Sequence, residues 1–198
     1  MKPQYLRLIH LLIKLIIIPI IALLTSCEEA LEETFDHYMI PKGKHSVQSI
    51  KAEALQSHRL RFAAVFDASA RYTTQDPINQ HDINKLFGFS DCNSIHHENS
   101  ARFGWRWLEG NLEIHAYVYA SGQRESELIG YVDLNKAYNY EIELAANAYV
   151  FTLEGFESVS LARTRKCQRG LYYKLFPYFG GNETAPQDIL IQLRQYSY

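Results

Sequence analysis

Two short segments carry the residues best suited to chemistry. Ala101–Leu108 (ARFGWRWL) and Asn111–Ala120 (NLEIHAYVYA) flank Glu109-Gly110. A two-residue loop there sets Trp107 against Leu112, Trp105 against Ile114 and Phe103 against Ala116, because side chains alternate along a strand. That face is wholly apolar and is expected to be core. The other face then pairs Arg106 with Glu113, Gly104 with His115 and Arg102 with Tyr117, with Tyr119 beyond. A slip of one residue sets Leu108 against Glu113 and loses the segregation. Tyrosine offers a flat apolar surface with a hydroxyl, and arginine a fork matched to carboxylates. Together with His115 they suit a polar, planar or anionic ligand. The same residues also fit an outer face on which Arg106 and Glu113 form a cross-strand ion pair.

A third segment, Gly170–Gly180 (GLYYKLFPYFG), alternates as well. Leu171, Tyr173, Leu175, Pro177 and Phe179 fall on one side, the more apolar one, expected to be core. Tyr172, Lys174, Phe176 and Tyr178 fall on the other and place a lysine between aromatics. Pro177 donates nothing to a ladder, so this strand is expected at an edge or bulged there. Other signals are weaker. His96-His97-Glu98 has no second cluster at zinc-like spacing. Asp91 and Asn93 supply two oxygens, well short of a calcium site. No G-x-S-x-G nucleophile motif occurs. No cofactor and no metal are expected.

The elements that must position these residues are short strands. Candidates are 46–53, 58–67, 101–108, 111–120, 127–134, 137–144, 147–153, 156–163, 170–179 and 187–195. Tyrosine is abundant, at 14 of 198 residues. After the N-terminus no long stretch has the 3.6-residue period of a helix. Many strands at short spacing predict an all-β chain, an antiparallel β-sandwich of the jelly-roll kind. The long stretch 68–100 is expected to be a loop, with a helical turn at Asp82–Phe87; loops of that length are functional or tied down.

The first 27 residues bear on location. Lys2, Arg7 and Lys14 precede the apolar run Leu15–Leu24, which ends in Leu24-Thr25-Ser26-Cys27. This is the pattern of a secretory signal. A membrane span is the alternative, but Leu11–Leu24 includes Lys14 and falls short of the ~20 residues a span needs. The last four residues resemble the bacterial lipobox, which implies lipid on Cys27, a mature N-terminus there, and an exported protein anchored to the outer membrane. Cleavage before Cys27 leaves 172 residues, and loss of three of the 20 basic residues leaves 17 against 22 acidic ones, a net charge of −5. Such a balance gives no footprint for nucleic acid. Cys92 and Cys167 then remain, expected as a disulfide in an exported protein or as two separate buried thiols. Residues 27–36 (CEEALEETFD) hold five acids; they resemble the surface-export signals of Bacteroidota lipoproteins, and equally suit a solvated tether. The expected organisation is a signal peptide at 1–26, an acidic tether at 27–44 and the sandwich at 45–198.

The polar strands carry a further resemblance. Arg102-Phe103-Gly104-Trp105-Arg106, Glu113-Ile114-His115 and Tyr172-Tyr173-Lys174-Leu175-Phe176-Pro177-Tyr178 follow the order of three motifs in the alginate lyases of the concanavalin A-like fold: R-[ST]-E-L-R, Q-[IV]-H and Y-x-K-x-G-x-Y-x-Q. Gly104 stands at the Glu of the first motif, and Glu113 replaces the amide of the second. Phe176 and Gly180 replace Gly and Gln in the third. The resemblance implies a jelly roll with one concave, ligand-binding face. It implies His115 as proton-abstracting base and Tyr178 as acid in a lyase, with Arg102, Arg106 and Lys174 gripping an anionic sugar. Strand register and alternation by themselves make Arg102, Arg106, Glu113, Tyr117, Tyr119, Tyr172 and Lys174 the expected ligand-binding residues. The expected function is binding of carbohydrate or another polar extracellular ligand, with a polysaccharide lyase acting on uronate glycans and a structural lipoprotein as alternatives.

Overall fold

Strand alternation closes this chain into two antiparallel sheets. The computed structural model describes residues 34–48, 53–164 and 172–196. The expected signal peptide, Cys27 and Cys167 lie outside the described residues. Twelve strands are described: β1 (Asp36–Ile40), β2 (Ala54–Leu55), β3 (Arg59–Phe66), β4 (Asn84–Ser90), β5 (Ser100–Leu108), β6 (Asn111–Ala120), β7 (Gln123–Val132), β8 (Tyr138–Leu144), β9 (Ala148–Leu153), β10 (Val159–Ala162), β11 (Tyr172–Leu175) and β12 (Ile189–Gln195). One sheet runs β1-β12-β3-β8-β9-β10 and the other β2-β11-β4-β5-β6-β7. The expected all-β sandwich is what forms.

Between the sheets lies an aromatic core. Phe62 of the first sheet stacks on Tyr140 at 4.9 Å and meets Phe87 and Phe103 of the second edge-on at 5.2 and 5.8 Å. Trp105, fully buried, packs on Phe66 and Tyr72. Such edge-to-face pairs add to the stabilisation from the apolar area they bury.

The β5–β6 hairpin has the register its residues dictate. Trp107 faces Leu112, Trp105 faces Ile114, Phe103 faces Ala116, Arg106 faces Glu113 and Arg102 faces Tyr117. Glu109 and Gly110 take φ of 50° and 82°. That is the double left-handed turn whose twist matches paired strands.

Three expectations need correction. The stretch 68–100 is not one loop with a helical turn at 82–87. It holds short 3-10 turns at Ala68–Ala70 and Pro77–His81, then β4, which lies between β11 and β5. Six of the seven β4 residues are buried, and a register shift between Lys85 and Phe87 interrupts the ladder. A strand covered on both faces and bulged does not show a clean period of two.

The tether does not run to residue 44. Asp36–Ile40 pairs with β12, with Tyr38 opposite Ile191 and Ile40 opposite Ile189. The sandwich therefore begins by Asp36, because Ile40 buries completely in the core. The segment at 46–53 contributes only a bridge at Ser46 among its described residues, and the neighbouring strand is the two-residue β2.

The strand expected at 170–179 is described only as β11, Tyr172–Leu175, and its faces are reversed from those expected. Tyr172 and Phe176 are buried and Tyr173 is 43% exposed. Strand pairing stops before Pro177, which has no N–H to give. Alternation therefore does not carry through to Tyr178, which returns to the solvent side.

Candidate functional site

The face of β4–β7 turned away from the core is built in rows. Register places Leu175, Gly88, Arg102, Tyr117 and Ser126 side by side across five strands. The next row holds Tyr173, Ser90, Ser100, Tyr119 and Arg124. Over these rows runs a groove of about 860 Å³. One wall is the segment from Ile78 to Ile83, one end is His96 and His97, and another wall is Leu175–Tyr178 with Gly181 and Asn182.

Arg102 is the floor. It is 5% exposed, and its Nε has no hydrogen-bond partner. Among the described residues no carboxylate pairs with it. Its guanidinium carbon lies 5.5 Å from the centre of the Tyr117 ring. Burial draws its pKa down to about 10, against the opposing influence of Tyr117, Tyr119 and Tyr178. Gly88 makes the space: a Cβ there would fall 2.1 Å from the Ala101 carbonyl oxygen and 2.7 Å from Arg102 Cγ. A buried cation without a counter-charge is costly, and an incoming anion offsets that cost.

Lys85 lies beside it. Its Nζ donates to the Ile83 carbonyl at 2.6 Å and sits 4.7 Å over the Tyr117 ring. Burial first, then Arg102, lowers its pKa to about 8. Burial, then Tyr119, raises the Tyr117 phenol to about 12, so it stays neutral. The His96 and His97 rings lie 4.1 Å apart at a 58° tilt, and His97 lies 5.4 Å from Tyr119. Burial, then Arg102, lowers the pKa of His96. Asp82 is the sole carboxylate lining the groove among the described residues. The groove is thus a cationic, tyrosine-lined surface.

Of the residues expected at the site, Arg102, Tyr117, Tyr119, Lys174 and Tyr178 border this groove. Tyr178 stacks on His45 at 5.3 Å and is 37% exposed. Lys174 borders it with its ammonium engaged elsewhere, 2.9 Å from Glu53 Oε2 and 2.6 Å from Gln195 Oε1. Tyr172 does not reach the groove. It packs in the core against Phe89.

Arg106, Glu113 and His115 share the sheet face but are closed off from the groove. Glu113 Oε2 accepts from Arg106 Nε at 2.5 Å and lies 2.9 Å from His115 Nε2. Arg106 Nη1 donates to the His81 carbonyl at 2.7 Å. Ile83 lies over Gly104, its Cγ2 2.4 Å from where a Cβ would stand. The segment His81–Ile83 thus crosses the face and separates this cluster from Arg102. His115 is 5% exposed, and burial lowers its pKa despite the Glu113 contact. The expected catalytic histidine is a buried member of an Arg–Glu–His cluster.

Sequence reasoning missed Lys85 and Arg124, and read His96 and His97 as structural or exposed residues rather than metal ligands or groove-lining groups. Lys85 was hidden with β4. Among the described residues no group of three or more His, Cys, Asp or Glu side chains is placed to hold a metal ion.

No protein-family model matches the chain, and no curated protein matches its sequence. Its backbone resembles solved structures. The alginate lyase AlyC3 superposes with a TM-score of 0.55 at 11% identity, over 82% of this chain and 74% of that one. AlyC3 in complex with dimannuronate gives 0.50 at 12% identity, over 82% and 73%. LamAcat from Zobellia galactanivorans gives 0.50 at 11% identity, over 81% and 76%. At these identities the likeness is one of fold.

Proposed function

We propose that the groove binds an acidic carbohydrate chain, with Arg102 receiving a sugar carboxylate and the tyrosines packing against the sugar rings. The observation that carries this reading is the buried Arg102 guanidinium, with no acidic partner among the described residues, at the floor of a groove lined by Tyr117, Tyr119 and Tyr178. The fold supports it: solved structures with this backbone include an alginate lyase complexed with dimannuronate. A cationic groove with one carboxylate favours a uronate polymer over a neutral glucan. Affinity electrophoresis of the full chain tests this. Migration should be retarded in gels holding polymannuronate, polyguluronate or polygalacturonate, and less so as salt is added. Retardation by neutral β-glucan alone would overturn it.

The location follows from the N-terminus. A lipid on Cys27 holds the domain at the outer membrane of a bacterium, where extracellular glycans are met. The apolar run and Leu24-Thr25-Ser26-Cys27 support this. Cys27→Ser should release the protein from the membrane fraction, since acyl chains supply the anchoring free energy. An uncleaved, membrane-bound variant would contradict it.

A further inference from the structure

We propose that His96 makes the groove a proton-linked binding site: its imidazole takes up a proton as an acidic chain settles on Arg102, so the groove holds that chain more tightly as pH falls. This rests on the binding reading above and adds regulation to it.

The imidazole is fixed at one end of the groove. His96 belongs to the loop between β4 and β5, and Ser100 Oγ donates to its carbonyl at 2.7 Å. Within the loop, Ser94 N–H donates to the Asp91 carbonyl at 3.1 Å and Asn99 Nδ2 to Ser94 Oγ at 3.1 Å. The β6–β7 turn clamps the same loop: Gly122 N–H donates to the Glu98 carbonyl at 2.9 Å, and Ser121 N–H to Asn99 Oδ1 at 2.9 Å. The His97 ring lies 4.1 Å away, between His96 and Tyr119. Both imidazoles line the groove.

Cations meet His96 from the sheet beneath it. Lys85 comes from β4, Arg102 from β5 and Arg124 from β7, while β6 adds only the phenols of Tyr117 and Tyr119. None of the three cations forms a salt bridge among the described residues. Asp82, the groove's carboxylate, packs at the far wall, where a Cβ on Gly181 would fall 1.8 Å from its Oδ2. Glu98, on the loop itself, is exposed. A protonated His96 would be a fourth positive charge in this setting, and imidazole is the group able to shed its charge near neutral pH.

The ligand reverses that balance. In the free groove, burial first, then Arg102, His97 and Lys85, lower the pKa of His96. A carboxylate seated on Arg102 offsets the like charges and adds an opposite one, and both changes favour the protonated imidazole. The bound groove therefore holds a proton that the free groove lacks. By reciprocity, protonation raises the affinity for the anion by the same factor. Below pH 7 Lys85, with a pKa of about 8, already carries its proton and adds little to the linkage. His115 lies behind the His81–Ile83 segment with Glu113 at its Nε2, away from the ligand.

The test is calorimetric titration of the full chain with polymannuronate, polyguluronate and polygalacturonate at constant ionic strength. Runs at pH 6 in two buffers of different ionisation heat count the protons exchanged. Uronate carboxylates stay ionised throughout, well above the carboxylate range. The polymer that binds should bring uptake of about half a proton per site, and its affinity should rise roughly fivefold or more from pH 7 to pH 5.5. In His96→Gln the uptake should fall close to zero and the affinity ratio between the two pH values to within about twofold. The buffer comparison on the unmodified chain stands by itself where that variant fails to fold. Binding with no proton uptake, affinity that is flat or falls on acidification, or undiminished uptake in His96→Gln overturns the proton linkage and leaves the binding reading standing. No binding to any polymer overturns both.

Discussion

Glu113 Oε2 stands 2.9 Å from His115 Nε2 and also accepts from Arg106, at 2.5 Å. One carboxylate oxygen thus joins three side chains that the hairpin register brings to one face. Their side chains are only 9%, 6% and 19% exposed for Glu113, His115 and Arg106. The cluster is structural: it holds the His81–Ile83 wall through the bond from Arg106 to the His81 carbonyl.

Removing the central charge tests that role. Glu113→Gln should destabilise the fold by about 2 kcal/mol, because Arg106 loses its buried counter-charge. Chemical denaturation reads this directly. Polyuronate binding should stay within roughly twofold of the unmodified chain, since Glu113 does not line the groove.

The histidines give the fold a pH dependence with a definite sign. Burial lowers the pKa of His115 and of His96 below the ordinary value of 6.5. The unfolded chain therefore takes up protons more readily in the range just below 6.5. Stability is fully present above that value and is lost as pH falls from it toward the lower folded-state values. Thermal unfolding followed from about pH 7 to pH 5 should show a falling Tm, with a shallower slope in His115→Gln. A Tm that rises on acidification would contradict the burial of neutral imidazoles.

The hairpin was legible in the sequence because its two faces differ sharply. Only one register separates Trp105 and Phe103 from Arg102 and Arg106, and the Glu109-Gly110 turn agrees with it. β4 was not legible. Its polar neighbours resemble a loop, and Gly88 leaves a gap in the alternation that Arg102 fills from the next strand. Losing β4 meant losing Lys85, and with it the link between the hairpin and Tyr178. Tyr172 was misplaced for a related reason: parity was carried through Pro177, where the ladder stops.

The flanks of residues 165–171 lead to a covalent prediction. Arg163, four residues before Cys167, pairs with Asp91 at 2.7 Å, and Tyr173, six residues after it, lies opposite Ser90. Cys92 follows both partners in sequence, and in an exported chain the oxidising surroundings keep such a remaining pair of cysteines oxidised. We predict a Cys92–Cys167 disulfide. Intact mass after thiol alkylation should show neither of these cysteines labelled until reductant is added; labelling of both without reductant would refute it.

The central claim rests on Arg102, and one substitution separates function from stability there. Arg102→Met keeps the length and apolar stem of the side chain and removes a buried charge that has no acidic partner among the described residues. Removing such a charge should leave Tm unchanged or raise it. Losing the carboxylate anchor should weaken polyuronate binding by roughly 100-fold, the scale for a buried charge-assisted contact. Calorimetric titration and a thermal melt on the same sample give both numbers. A raised or equal Tm with binding lost is the predicted result. A variant that binds polyuronate as tightly as the unmodified chain would contradict the account.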